Sequence, residues 1–377
     1  VLSKDSLNKF VPLVSSENQI TATQYTYEYL EALGLIKMDL LGIINLTIIG
    51  NAVNEINENE KFDILKILLN DEATFSVFKN TDTLGIFQSE SEGMKSLLKK
   101  IQPESIQDIS LAFALYRPGP MQNIDEYLKR RNNPSLIVYP HPALKPVLEE
   151  TCGIIIYQEQ IMQVSQIMAG FSLGKADILR KAMSKKKIEQ ITALKNDFIN
   201  GCLRNGYDPK TTQEVYELIE KFASYGFNKS HSIVYAFFAY QMAYLKAHYP
   251  LPFYRSLLNN CIGKEEATAK YLNELKKRKI KVLGVDLNHS AEQYLKENDA
   301  LRFPLTGVKS LGSASVKDII QERKNNGEYL DYCDAILRLT SLKIGKAGIS
   351  KLIDAGAFDC FNLPRSAMNY SLPNYLQ

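Results

Sequence analysis

The chain has 377 residues, room for two or three domains of ordinary size. At 45% hydrophobic and 23% charged residues it has the composition of a packed globular protein, which excludes disordered and fibrous classes. Lys and Arg total 45 against 42 Asp and Glu, so the net charge of +3 does not by itself call for nucleic acid, and local clustering has to carry any such argument.

No apolar run approaches the ~18 to 20 residues a membrane span needs, and the opening VLSKDSLNKF has no signal-peptide hydrophobic region. Cys152, Cys202, Cys261, Cys333 and Cys360 are scattered, odd in number and without a CxxC pair, a pattern of reduced cytoplasmic thiols and not of structural zinc. A start at Val1 and not Met points to a piece of something longer.

In chain order, Leu35 to Leu41 reads as a short strand, apolar apart from Lys37 and Asp39, which share one face because side chains alternate along a strand. The polar stretch Asn54 to Lys61 reads as a linker. From there to about Gly284 the pattern is helical, with Met94, Leu97, Leu98 and Ile101 on one face and Ile161, Val164, Ile167 and Met168 on another. Two loops punctuate it: Arg117-Pro118-Gly119-Pro120, and Asn132-Asn133-Pro134 after the basic cluster Lys129 to Arg131. Ile233 to His248 is apolar nearly all round and stops at Pro250, so it reads as a buried central helix. Beyond Gly284 come small strands, a Gly-containing hairpin and short helices, including two similar hairpin–helix elements.

Several residues along this pattern could carry chemistry. A carboxylate such as Asp39 on an apolar strand must be paired, protonated or metal-bound, and two-metal phosphoryl transfer takes clustered strand carboxylates; a cap at a strand end is the plainer role. The basic run Ile178 to Lys187, with Arg180 and Lys181, is either a solvated face or a hold on triphosphate or a DNA backbone. In Gly226-Phe227-Asn228-Lys229-Ser230-His231-Ser232, Ser230 or Ser232 can cap the helix behind, turning amides, Lys229 and His231 outward as a phosphate site. Arg117 sits on a stiff Pro/Gly turn that fixes a guanidinium. Gly307-Val308-Lys309-Ser310-Leu311-Gly312, followed by a helix from Ala314 to Arg323, has the form of a helix-hairpin-helix, whose glycines let amides approach DNA phosphates without reading bases. Gly345-Lys346-Ala347-Gly348 is a second, less regular copy.

These segments resemble the C-family bacterial replicative DNA polymerases. GLIKMDLLGI (34–43), IFQSESEGM (86–94), LYRPGP (115–120), GIIIYQEQIM (153–162), GKADILRKAMSKKK (174–187), YGFNKSHS (225–232) and YLKAHYP (244–250) occur in the family's order. The resemblance implies a mainly α chain with minor β: the C-terminal edge of a nucleotidyltransferase-like palm (1–49), large helical fingers that bind nucleotide and template (50–284), a small tandem helix-hairpin-helix DNA-binding domain (285–361), then the start of a linker (362–377). Asp39 matches the third of the family's three metal-binding aspartates, with Lys37 its basic neighbour. The other two form an Asp-x-Asp that occurs nowhere here, so the chain on its own is expected to be inactive.

The resemblance further implies two Mg²⁺ ions, primer-template DNA and deoxynucleoside triphosphates, with Arg180, Lys181, Lys229 and His231 on the triphosphate side and Arg117 and Ser230 beside them. Lys181 stands where an arginine is common, keeping the charge without bidentate phosphate geometry. Gly307, Lys309, Gly312, Lys346 and Gly348 are the expected duplex contacts. The sliding clamp is a partner reached by regions outside this chain, which carries no Gln-x-x-Leu/Met-Phe peptide. A non-catalytic duplex-binding module is the alternative; a metal-dependent nuclease is disfavoured by the single strand carboxylate.

Overall fold

A computed structural model gives the fold, and it describes residues 1–15, 21–38, 42–184, 188–223 and 226–375, with backbone alone for 183, 184, 188–190 and 223. The chain divides into two compact units, 1–44 and 45–377.

In the first unit, β1 (Leu13–Ser15) and β2 (Thr21–Thr23) pair antiparallel, with Leu13 opposite Thr23, ahead of α1 (Tyr27–Leu30). Val11, Leu30 and Leu35 make its small core. The expected strand from Leu35 is reduced to one antiparallel bridge between Ile36 and Leu2. A strand is sustained by ladder partners, and Ile36 is the one residue of 35–38 that has a bridge partner. Ile36 and Met38 are exposed. Asp39 lies outside the described residues.

The second unit is helical. It begins with α2 (Ile44–Asn57), α3 (Glu72–Lys79), α4 (Glu92–Ile101) and α5 (Ile106–Leu115). Capping residues set their starts: Asp71 accepts from the Thr74 amide at 2.7 Å, Ser91 from Met94 and Ser105 from Asp108. The linker expected over 54–61 begins later, because Asn54 to Asn57 complete α2 with Glu55 and Ile56 buried. There follow α6 (Ile124–Asn132), α7 (Lys145–Leu148), α8 (Gln158–Ala169), α9 (Leu173–Ser184), α10 (Ile188–Arg204), α11 (Pro209–Ala223), α12 (Lys229–His248), α13 (Pro250–Asn259) and α14 (Glu265–Lys277).

Helix α12 is the axis of this body, packed against α3, α5 and α13. Its apolar run is interrupted by polar residues that anchor it. Tyr240 Oη donates to Leu68 O (2.7 Å) and accepts from the Asp71 amide (3.0 Å). Lys246, with no exposed side-chain surface, sends Nζ to Asp82 O (2.7 Å), Leu84 O (2.9 Å) and Asp82 Oδ1 (2.8 Å), with Glu274 Oε1 at 3.5 Å. Arg278 completes the cluster through Asp82 and Glu274. An ammonium buried this deeply is tolerated only with such partners.

Three three-residue strands follow: β3 (Lys281–Leu283), β4 (Leu295–Glu297) and β5 (Ala300–Arg302), with β5 central, parallel to β3 and antiparallel to β4. Tyr294 and Leu301 join the large core, whereas Val285 and Leu287 join a second core, and Phe303 packs on both. That second core is closed by α15 (Ser313–Asn326), α16 (Tyr332–Ser341), α17 (Lys346–Ala355) and α18 (Arg365–Tyr375). The stretch expected to open a linker at 362 is instead mostly α18. Its Met368 and Leu372, four apart and so on one face, are buried against α16 and α17, and Tyr332 Oη donates to Met368 O at 2.6 Å. Polar Ser and Asn and an internal Pro373 hide that stripe in the sequence.

Candidate nucleotide and DNA interface

Four separate segments meet at the N-terminus of α12. A bridge joins Tyr157 to Phe227: the Phe227 amide donates to Ile156 O (3.0 Å) and the Gln158 amide to Phe227 O (2.9 Å). The buried Gln160 holds this crossing, accepting from the Ile156 and Tyr157 amides while donating to Val147 O and Thr151. Arg117, presented by the Pro-Gly-Pro turn, lies over the Phe227 ring with its guanidinium carbon 3.8 Å from the centroid, a cation–π contact. His231 stands edge-on to Phe227 (5.5 Å) and 4.1 Å from the Tyr235 ring, which stacks on Phe87 at 5.0 Å.

Beside this aromatic row is a cavity of about 440 Å³ lined by Asn45, Gln88, Glu90, Ser91, Tyr116 and Arg117 among apolar residues. Gln88 has a left-handed backbone, φ 55°, on a loop pinned by Gly85 N–H to Glu90 Oε1 (2.7 Å) and by the hydroxyls of Thr83 and Ser89. For a non-glycine residue that conformation is costly and collects at functional sites.

The other predicted cations adjoin the same crossing. Arg180 donates through Nη1 to Gln158 Oε1 (3.0 Å) and through Nε and Nη2 to Asp177 Oδ1 (2.9 and 2.7 Å). Lys181 Nζ reaches Asp177 Oδ2 at 2.8 Å. Lys229 is held by both Glu150 oxygens at 2.7 Å, and its amide donates to Glu159 Oε2 (2.9 Å). Arg117, Arg180, Lys181 and Lys229, each already with a partner, are therefore brought to one wall with His231. Ser230 is exposed at the same end.

Two expectations change in detail. The cap of α12 is Asn228, whose Oδ1 accepts from the His231 amide at 2.8 Å; Ser232 instead is buried and donates to Ser110 O at 2.7 Å. Asn228 takes the position because it is the extended residue directly before the first turn, from which its side-chain oxygen reaches the third amide. His231, expected on the triphosphate side, is exposed at its outer edge yet pushed below its ordinary pKa by partial desolvation against the rings and by the nearby Arg117. Neutral imidazole meets an anion as a hydrogen-bond donor. Phe87, Gln88, Gln158, Asp177, Phe227 and Tyr235 were not singled out from sequence, although all but Tyr235 fall in segments shared with the polymerase family.

In the small core the two hairpins repeat one geometry. Ser310 (φ 66°) and Lys343 (φ 60°) each sit two residues before a glycine, Gly312 or Gly345, that precedes α15 or α17. Neither glycine has a side chain to cap the first amides, which stay outside the helix ladder. The copy at Gly345 is the more complete, with full helices α16 and α17 on both sides, whereas a single turn (Leu305–Gly307) precedes the other. Two predicted DNA-contact glycines have packing roles: a Cβ on Gly307 would lie 2.4 Å from the Phe303 ring, and one on Gly348 3.1 Å from Ile344 and 3.7 Å from Leu311 of the other hairpin. The hairpins thus touch each other. Lys309 is exposed and paired with Glu265 at 2.7 Å, and Lys346, in the first turn of α17, is exposed.

Comparison with known proteins agrees with this layout. Residues 45–206 match the finger domain of the bacterial DNA polymerase III alpha subunit, 1–42 the NTPase domain of the same subunit, and 279–368 a helix-hairpin-helix motif. The chain belongs to the bacterial DNA polymerase III alpha family. It is 44% identical over 374 residues to the DNA polymerase III subunit alpha of Bacillus subtilis, covering 99% of this chain and 34% of that protein. It is 42% identical to the subunit of Borreliella burgdorferi and 41% identical to that of Staphylococcus epidermidis, covering all of this chain and 33% and 35% of theirs. The chain thus spans about a third of the length of these alpha subunits. Among the described residues no group of three or more His, Cys, Asp or Glu is placed to hold a metal ion, and no helix is long and apolar enough to cross a membrane.

Proposed function

We propose that this chain is the nucleotide-binding and duplex-gripping portion of a replicative DNA polymerase, in which the α12 wall receives the incoming deoxynucleoside triphosphate. The observation that carries the reading is the convergence of Arg117, Arg180, Lys181, Lys229 and His231, from three segments, on the crossing of Tyr157 and Phe227. A module that only grips duplex has no need to assemble cations beside a row of rings and a small polar cavity. The aromatic row suits a nucleobase or sugar face, and the cations suit the triphosphate, whose developing charge they would neutralise as pyrophosphate leaves. Family membership supports a chemical step in the whole polymerase in which the primer 3′-oxygen attacks the α-phosphate. Two Mg²⁺ ions would supply charge stabilisation there, with Asp39 as one ligand.

The domains we assign are a palm end up to about residue 49, fingers to about 284 and a tandem hairpin domain beyond. The paired hairpins suit duplex DNA, since exposed Lys309, Lys346 and uncapped helix starts favour phosphate without reading bases. The sliding clamp would be reached through regions outside this chain, and the setting is the bacterial cytoplasm. Binding of a deoxynucleoside triphosphate with Mg²⁺ and primer-template tests the wall. The Arg180→Ala/His231→Ala double variant should bind about tenfold more weakly or worse, ~1.4 kcal/mol. Equal binding by both proteins would overturn the assignment.

A further inference from the structure

The anion site just proposed contains its own anion. Asp177 lies one turn before Arg180 and Lys181 on α9, and its two oxygens are divided between them: Oδ1 takes the guanidinium at 2.7 and 2.9 Å, Oδ2 the ammonium at 2.8 Å. Lys181 and then Arg180 hold this carboxyl below the usual carboxylate range, so it is ionised at neutral pH. It is half-buried, close enough to solvent to let go of either cation without leaving a buried charge.

Arg180 has a second tether that Asp177 does not supply. Its Nη1 donates to Gln158, whose amide is bonded to Phe227 O at the crossing. Loss of the carboxylate would therefore remove this counter-charge from Arg180 while the bond to Gln158 still aims the side chain. Lys181 has no such geometry to lose, being a flexible point charge.

We infer that Asp177 is a displaceable internal counter-ion: it holds Arg180 and Lys181 together in the empty site and is exchanged for polyphosphate oxygens when nucleotide arrives. This rests on the reading of the wall as the triphosphate site and adds a residue that sets its affinity. Empty, the wall is kept from capturing stray anions, because any phosphate must first compete with a carboxylate held at the same atoms. Occupied, the two cations exchange one set of oxygens for another, so little rearrangement of Arg180 is needed.

The consequence has a sign that an ordinary helix-stabilising pair would not produce. Removing the charge should tighten anion binding. Titration of this chain with inorganic tripolyphosphate, by calorimetry at low salt, provides the test. Asp177→Asn should bind about tenfold more tightly than the parent, Asp177→Glu within about twofold of it, and Arg180→Ala/Lys181→Ala more weakly. If Asp177→Asn binds no more tightly while the double variant still loses affinity, the wall remains an anion site and the counter-ion role is overturned. If the double variant binds as the parent does, the reading of the wall fails and the inference fails with it. Tripolyphosphate binding seen with Asp177→Asn and not with the parent would support the exchange in its strongest form; no binding by any of these proteins would overturn it.

Discussion

The α12 wall and the paired hairpins, as proposed phosphate sites, are built in two different ways. In the hairpins the chemistry is in the backbone: a left-handed residue, a spacer and a glycine place uncapped amides at a helix start, and the same short device appears twice. Each copy is complete within about six residues. In the wall the chemistry is in side chains separated by up to about a hundred residues, and the backbone's part is to hold the crossing at Tyr157 and Phe227. A local device is robust to changes elsewhere; a converged one depends on everything that fixes the helices bearing it.

That contrast is most easily broken at Lys246, four turns along α12 from the wall. Replacing it with Ala leaves the Asp82 and Leu84 carbonyls without this donor and Asp82 and Glu274 with Arg278 as their remaining cation, and should cost about 3 kcal/mol. Urea denaturation measures this as a fall in midpoint, and triphosphate binding should weaken with it although no wall residue has changed. An unaltered midpoint would mean that the cluster does not hold α12.

A smaller effect is expected at the hairpins. If the proposed hairpin contacts are to phosphate, Lys346→Glu or Lys309→Glu should weaken duplex binding to a similar extent on unrelated sequences and lower the slope of log affinity against log salt by about 1. Loss confined to one sequence would show base reading instead. The smallest and sharpest effect concerns His231. Its titration, followed by NMR of the imidazole ring, should lie below the ordinary 6.5. It should rise in Arg117→Ala, which removes a repelling cation, and rise on saturation with tripolyphosphate, which adds an attracting anion. Protonation disfavoured in the fold also means that His231 subtracts from stability as pH falls through the unfolded value near 6.5. A midpoint unmoved by Arg117→Ala would separate the two groups.

Much of this was legible in the sequence where the signal is local. The apolar run of α12, the helical stripe of α4, that of α8 apart from the exposed Ile167, the Pro/Gly turn presenting Arg117 and both hairpin glycines all rest on contacts within a few residues, and the structure has them. Where the signal needed a distant partner it was misread. Met368 and Leu372 look like scattered residues until α16 and α17 supply the surface that buries them. The run from Leu35 looks like a strand, yet Ile36 pairs with a single residue.

Sequence alone determined the family, the helical character and the identity of the cationic residues, because motif order and periodicity are properties of the chain itself. Only the tertiary structure decided which of those cations share a wall, that Asn228 and not a serine caps α12, that His231 favours its neutral form, and that Asp177 and Glu150 already occupy Arg180, Lys181 and Lys229. The reason is physical. A side chain's charge state and partners are set by what lies within a few ångströms: Asp177 is a turn away on the same helix as Arg180 and Lys181, but Gln158, Glu150 and Arg117 reach Arg180, Lys229 and His231 from other parts of the chain.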